Sequence, residues 1–487
     1  MKEYAQYDAL GLAELVRKRE VSPGELLEAA IARVEATEPT LNALHQRLDA
    51  AGRSAAGGPL IGPFAGVPFL VKDIAQDIAG LPTGAGNRFL LTKPVAQDSE
   101  YVQRLRRAGL VIFGKTATPE FALKGYTEPE GFAPTRNPIN PAHSPGGSSG
   151  GAAAVVAAGV VPMAGASDGG GSIRIPAAYT GLFGLRPSRG RNPCGPAFGE
   201  FWDGASSEHV LSRSVRDSAA MLDVLSGPLA GDPFRIPPPP LPFAELARRE
   251  PGRLRIGFST RSPIGQDVHP DVVRVIHETA KTLEGLGHQV EAAEPLIDGL
   301  ALAKSFITMY FGQTAANVAA AKALGARDED FELDTRALAL LGRGLSAGDY
   351  VTERWRWNDY ARALGAYFQR YDLYLIPATA FPAPKIGELV TPGWQRASLK
   401  PILALGLGKA LLKTGAVERM ARENLRWTPF TQLSNLTGTP SMSVPMGLSE
   451  AGLPIGAQFV APHGEEGRLL ALATQLEPQF QRGRSQV

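Results

Sequence analysis

Two loops of serine and glycine carry the residues of this sequence best suited to chemistry. The first is Pro145-Gly146-Gly147-Ser148-Ser149-Gly150-Gly151. The second is Ser167-Asp168-Gly169-Gly170-Gly171-Ser172-Ile173-Arg174. A serine nucleophile needs a base to take its proton and backbone N–H groups aimed at the oxyanion that develops on the substrate. Glycines beside the serine let the main chain approach a substrate and adopt positive φ. Gly169, Gly170 and Gly171 ahead of Ser172 therefore suit a nest of donors. One such loop reads equally well as a small-residue turn. Two at this density, the second flanked by Asp168 and Arg174 as a natural brace, point to a site.

The base is less obvious. Seven histidines are present. His143, between Pro141 and Pro145, suits a loop contact, and the others fall in no recognisable catalytic setting. A lysine acts as a base only when neutral, and burial lowers its pKa toward that state. Lys72 ends the apolar run Val67-Pro68-Phe69-Leu70-Val71, a buried-strand pattern, and buried lysines are rare. The competing reading is a strand-end lysine that reaches solvent.

The elements around these residues alternate between strand and helix. Ser22-Pro23-Gly24-Glu25 is a capping box, followed by Leu26, Leu27, Ala30, Ile31 and Val34 at helical spacing. Residues 1–61 are expected as helices packed on the outside of a main body spanning 62–487. Leu110–Phe113 reads as a strand, 150–158 as a small-residue helix and 160–166 as a strand. Leu254–Phe258, a helix over 271–286 and a strand from Gln289 give a βαβ texture. Residues 300–370 read as helical, Asp372–Pro377 as a buried strand and 398–424 as an apolar, basic helix. Ser441–Pro445 and Ile455–Val460 close the sheet.

Bulk properties bound the function. The chain has 487 residues, 44% of them hydrophobic, enough for a large core. Fifty basic residues against 48 acidic ones give a net charge of +2. With no long basic run, nothing points to nucleic acid or an anionic membrane. The single cysteine, Cys194, rules out an internal disulfide framework and suits a reducing, cytoplasmic compartment. The opening residues lack a charged start followed by an apolar stretch, so no secretory leader is expected. The small-apolar run 152–166 contains Gly159 and Pro162 and is too short to span a membrane.

Taken together, Val71-Lys72-Asp73, Gly146-Gly147-Ser148-Ser149-Gly150-Gly151 and Ser167-Asp168-Gly169-Gly170-Gly171-Ser172-Ile173-Arg174 resemble the amidase signature family. Thr428-Pro429-Phe430-Thr431 and Gly438-Thr439-Pro440-Ser441 extend the likeness in the same order. The resemblance implies a single large α/β domain with a mixed, mostly parallel twisted sheet covered by helices on both faces. It implies hydrolysis of a linear or cyclic carboxylic amide by a Ser–cisSer–Lys triad. Ser172 would be the nucleophile, Ser148 the bridging serine after a cis Gly147–Ser148 peptide, and Lys72 the neutral base. The N–H groups of Gly169, Gly170, Gly171 and Ser172 would form the oxyanion hole. Ser149, Asp168 and Arg174 would hold the two loops together. No metal or other cofactor is implied. The substrate-side region would be the variable helical stretch, about 300–425.

Within the family, Gly169 and Ile175 stand where the transfer-RNA amidotransferase A subunits usually carry Thr and Gln. The pattern is more similar to the 6-aminohexanoate-cyclic-dimer hydrolase branch, as are Asn137–Pro145, Gly181–Gly190 and Glu208-His209-Val210. An amidotransferase A-type subunit and a non-catalytic binding protein on the same fold stand as alternatives. The expected partner is a small-molecule amide. The oligomeric state is open, a homodimer being the named option. Gly109–Thr116 matches a phosphate-loop pattern letter for letter, but its middle residues are bulky and apolar, which suits a strand interior. The 398–424 segment suits a cover over the site mouth better than a membrane-surface helix.

Overall fold

The structure, a computed structural model, describes residues 3–487. Eleven strands are described: β1 (Leu44–Arg47), β2 (Pro68–Lys72), β3 (Val111–Thr116), β4 (Met163–Asp168), β5 (Phe183–Arg186), β6 (Ser207–Ser212), β7 (Arg255–Phe258), β8 (Gln289–Ala292), β9 (Leu373–Pro377), β10 (Ser441–Leu448) and β11 (Pro454–Val460). Eight form one sheet in the order β4-β6-β5-β10-β11-β9-β7-β8, and three form a second in the order β1-β3-β2. The α/β class and the mixed sheet agree with the sequence reading.

The balance of strand directions corrects it. Only β2/β3, β7/β8 and β7/β9 run parallel. The pairs β1/β3, β4/β6, β5/β6, β5/β10, β10/β11 and β9/β11 run antiparallel. The cause is connection length. A parallel neighbour needs a crossover, which the helix Pro270–Gly285 supplies between β7 and β8. β10 and β11 are instead joined by a tight turn closed by Ser449 N–H to the Leu453 carbonyl (2.8 Å), which forces a hairpin.

Helices cover both faces of the large sheet. The helix Arg174–Thr180 lies on one face, where Ala178 meets Gly456 of β11. Val215–Leu225, Pro270–Gly285 and Glu466–Leu476 share the other face with Met442 and Val444 of β10 in a common apolar core. The amino-terminal helix Pro23–Leu41 starts at the expected capping box, with Ser22 Oγ accepting from Glu25 N–H. Its Leu26, Leu27, Ala30, Ile31 and Val34 are buried against β2, β3 and the helix Gly150–Ala157. The first 61 residues are not all helical, because β1 pairs with β3.

Residues 299–367 include three helices, Gly299–Ala323, Leu333–Gly344 and Ala347–Tyr367, whose Phe306, Phe311 and Trp357 share an apolar cluster with Phe121, Ala205 and Leu436. The single helix expected over 398–424 is three pieces, Gly393–Ala404, Gly408–Leu412 and Ala416–Asn424. The breaks fall at Gly406 (φ 65°) and Gly415 (φ 70°), conformations that end a right-handed helix.

Candidate active site

β2 delivers Lys72 into the interior. Its backbone N–H donates to Gln76 Oε1 (2.7 Å), and the Gln76 side-chain amide reaches the Ala166 carbonyl, so Gln76 ties β2 to β4. Lys72 is wholly buried, with Nζ 2.8 Å from Ser148 Oγ and 3.0 Å from Ser167 Oγ. It does not reach solvent. Burial lowers its pKa to about 7, against a smaller upward pull from Asp168 and Glu208. A substantial fraction of the amine is then neutral at neutral pH.

Ser148 sits just ahead of the helix Gly150–Ala157, and the Gly147–Ser148 peptide is cis. Thr127 Oγ1 donates to the Gly146 carbonyl (2.9 Å) and fixes the approach to this turn. Gly147 has no room for a side chain: a Cβ there would lie 2.6 Å from Tyr126 N and 2.7 Å from the Lys124 carbonyl oxygen. Ser149 links the two loops. Its Oγ donates to the Ser167 carbonyl and accepts from the Ser167 N–H, and its own N–H meets the Ser172 carbonyl.

Ser172 lies between β4 and the helix Arg174–Thr180 in a strand–turn–helix. It is half-buried, and its hydroxyl has no hydrogen-bond partner among the described residues, Ser148 included. Asp168 organises the turn. It accepts from Gly171 N–H (2.8 Å), Ile173 N–H (3.2 Å) and Asn435 Nδ2 (2.9 Å), and from Arg174 through Nε (2.9 Å) and Nη2 (2.8 Å). Both charged partners are wholly buried. Burial alone would raise the Asp168 carboxyl, but Arg174, Arg186 and Asn435 outweigh it and hold the group well below the usual carboxylate range. Arg174 also donates to the Thr431 carbonyl (2.8 Å), Asn435 Oδ1 (2.7 Å) and Gln458 Oε1 (3.0 Å). Asp168 and Arg174 thus form a fully bonded brace, as the sequence pattern suggests.

The glycine turn departs from expectation at one place. Gly171 N–H is held by Asp168 and is not a free donor. The N–H groups of Gly169, Gly170 and Ser172 have no partner among the described residues. The Gly171 carbonyl accepts from Ile175 N–H (2.7 Å). A trans peptide points its C=O and N–H in opposite directions, so that bond aims the Ser172 N–H away from the helix. Gly171 has φ 123°, and a Cβ there would meet Thr431 Oγ1 at 2.5 Å, so only glycine fits.

Thr431, singled out by its motif, donates to the Gly170 carbonyl (2.6 Å), and Gln432 Nε2 adds a second bond (3.1 Å). Sequence reasoning gave no role to Ser167, Gln76, Gln432 or Asn435. The last two lie about 260 residues from the loop they hold, and no local pattern marks them. It also missed the apolar wall. The Trp202 ring presses on Gly169 and the Phe306 ring on Gly170, and both pack with Tyr310. His143 makes the expected loop contact, Nδ1 to the Ala383 carbonyl (2.8 Å). The phosphate-loop look-alike is strand β3, and its Lys115 is buried on the Pro82 carbonyl and Thr83 Oγ1.

This fold and cluster can be set beside known proteins. The family model described as Amidase matches residues 25–470. The chain belongs to the amidase family, a family of enzymes that hydrolyse amide bonds. It is 36% identical to the 6-aminohexanoate-cyclic-dimer hydrolase of Pseudomonas sp. (strain NK87), covering 96% of this chain and 94% of that protein. A solved structure of 6-aminohexanoate cyclic dimer hydrolase superposes with a TM-score of 0.89 at 34% identity, covering 99% of both chains. A bacterial aryl acylamidase of the amidase signature enzymes superposes with a TM-score of 0.82 at 27% identity, covering 97% of this chain and 96% of that one. No described helix is long and apolar enough to cross a membrane.

Proposed function

We propose that the chain hydrolyses small, uncharged carboxylic amides, linear or cyclic, through an acyl-Ser172 intermediate. The observation that carries this is the buried Lys72 amine, 2.8 Å from Ser148 Oγ and held near neutrality in its proton affinity. A lysine in that state is a base rather than a counter-ion.

Ser172 Oγ attacks the amide carbonyl. Its proton passes to Ser148 Oγ while the Ser148 proton passes to Lys72 Nζ, with Ser167 Oγ accepting an N–H of the amine. The oxyanion rests on the free N–H groups at the turn, of which Ser172 and its glycine neighbours Gly169 and Gly170 supply the candidates. As the C–N bond breaks, the Lys72 proton returns through Ser148 to the leaving nitrogen. Water then attacks the acyl-serine by the same relay, giving carboxylic acid and regenerated enzyme. Such proton transfer is worth about 10²–10⁴-fold and each oxyanion donor about 10²–10³-fold.

Trp202, Phe306 and Tyr310 support an apolar acyl side, and the helices of about 300–425 are read as the substrate side. The relatives' activity on a cyclic dimer of 6-aminohexanoate makes a cyclic aliphatic diamide the first substrate to try. A cytoplasmic enzyme fits the single cysteine. The test is hydrolysis of a cyclic diamide, a linear aliphatic amide and an aryl amide by the purified chain, beside Ser172→Ala. Turnover that disappears in the variant supports the reading. An inactive wild type whose Ser172 also resists a serine-directed acylating probe overturns it in favour of a partner-dependent or non-catalytic protein.

A further inference from the structure

One buried carboxyl beside the site has no part in the relay. Glu208 lies on β6, where the antiparallel register sets it directly opposite Ser167 on β4. Residues directly opposite in such a pair project to the same face of the sheet. Glu208 therefore faces the side on which Ser167 Oγ holds Lys72 Nζ at 3.0 Å. Glu208 is 3% exposed, and its Oε1 has no hydrogen-bond partner among the described residues. No salt bridge joins it to Lys72 among the described residues, so the two interact through space. A buried carboxyl without a strong partner is costly as an anion and tends to keep its proton.

We propose that Glu208 is a positioning residue that sets the proton affinity of Lys72. This rests on the reading of Lys72 as the base. Burial lowers the proton affinity of the Lys72 amine, Asp168 pulls it back up, and Glu208 adds a smaller pull as it ionises. Two interacting groups of this kind share a one-proton state that has two forms. Either the amine is neutral and the carboxyl protonated, or the ammonium faces the carboxylate, and the net charge is the same in both. Burial pushes Glu208 up to about 8, with a further push from Asp77 and an opposing pull from Gln76 and Lys72. The other titratable groups that face Glu208 are the Tyr101 phenol and the Cys194 thiol, both pushed up by burial and uncharged at neutral pH. His209, the next residue on β6, bonds Ser218 Oγ and is held neutral by burial. Asp168 adds its own pull on Lys72 and is fixed as an anion.

The sign of the effect follows. Glu208→Gln abolishes the ammonium–carboxylate form of the pair, so Lys72 binds its proton less tightly and the acid limb of kcat/KM moves to lower pH. Removing Asp77 lets Glu208 ionise earlier, holds the ammonium longer and moves the limb to higher pH. The experiment is the pH dependence of kcat/KM on an amide substrate for wild type, Glu208→Gln, Asp77→Asn and Lys72→Ala. The expected shifts are opposite in sign, downward for Glu208→Gln and upward for Asp77→Asn. Limbs that stay in place in both variants overturn the proposal, even where the rate falls, because a merely structural role lowers the height of the profile and not its position. If Glu208→Gln does not fold, Asp77→Asn decides alone: an upward shift supports and an unmoved limb overturns. Full activity in Lys72→Ala would instead overturn the base assignment, which separates that failure from this one.

Discussion

Two regions of the molecule are built on opposite principles. From Ser144 to Ser188 the chain is buried almost throughout, and Ser149, Asp168 and Arg174 are tied down by hydrogen bonds. Arg174 alone bonds Asp168, Thr431, Asn435 and Gln458. The stretch from 393 to 424 is the reverse. The helix Gly393–Ala404 has no buried residue, and Trp394 and Leu405 stand 72% and 71% exposed. The difference separates two demands. The proposed proton relay would tolerate little misplacement, and its loops are over-determined by buried hydrogen bonds. The stretch proposed as part of the substrate side is exposed, and an exposed segment places few constraints on sequence.

That contrast can be broken or sharpened by mutation. The largest effect belongs to Ser172→Ala, which should lower kcat/KM on an amide by at least about 10⁴-fold. Its melting temperature should match wild type, since the hydroxyl makes no bond that supports the fold. Lys72→Ala should cost about 10²–10⁴-fold. On the proposed mechanism the neutral amine is the active form, so kcat/KM should fall about tenfold per pH unit below roughly pH 7 and level off above it. That limb should be lost in the variant.

Asp168→Asn tests the rigid region through stability. It leaves Arg174 buried without its counter-charge, which typically costs about 3–5 kcal/mol, read by chemical denaturation. Because the folded-state pKa of Asp168 is depressed, its contribution is complete above the ordinary aspartate value near pH 4 and is lost only as pH falls toward the folded-state value. Phe306→Ala opens the apolar wall and should raise KM for an apolar amide by about 10–200-fold with a smaller change in kcat. At the far end, Trp394→Ala should change stability by no more than about 0.5 kcal/mol. A Trp394 effect as large as that of Asp168 would erase the distinction between the two regions.

The same contrast governs what the sequence discloses. Ser148, Ser149, Asp168, Ser172 and Arg174 stand out as candidates because they crowd into two serine–glycine loops, whereas Lys72, on β2, is marked only by ending an apolar run and by the family resemblance. The capping box at Ser22 and the strands β2, β3, β7 and β9 are legible from local pattern. Strand direction is not, because it depends on which strands become neighbours, and the βαβ texture of 254–292 does not carry over to the hairpin β10/β11. Trp202 and Phe306 are hidden for a related reason: an aromatic residue that walls a site has the same local signature as one in a core. Gln76 and Asn435 act only through contacts made by the folded chain. Gly171 shows the limit within the motif itself, since its residue type suits an oxyanion donor and only the bond to Asp168 removes it from that set.

The most direct measurement is to mix the purified protein with an amide substrate, quench within the first turnovers and map the acyl adduct by peptide mass spectrometry. The account predicts an acyl group on Ser172 in the wild type and none in Lys72→Ala over the same interval. An adduct on another residue, or amide turnover that persists in Ser172→Ala, would contradict it.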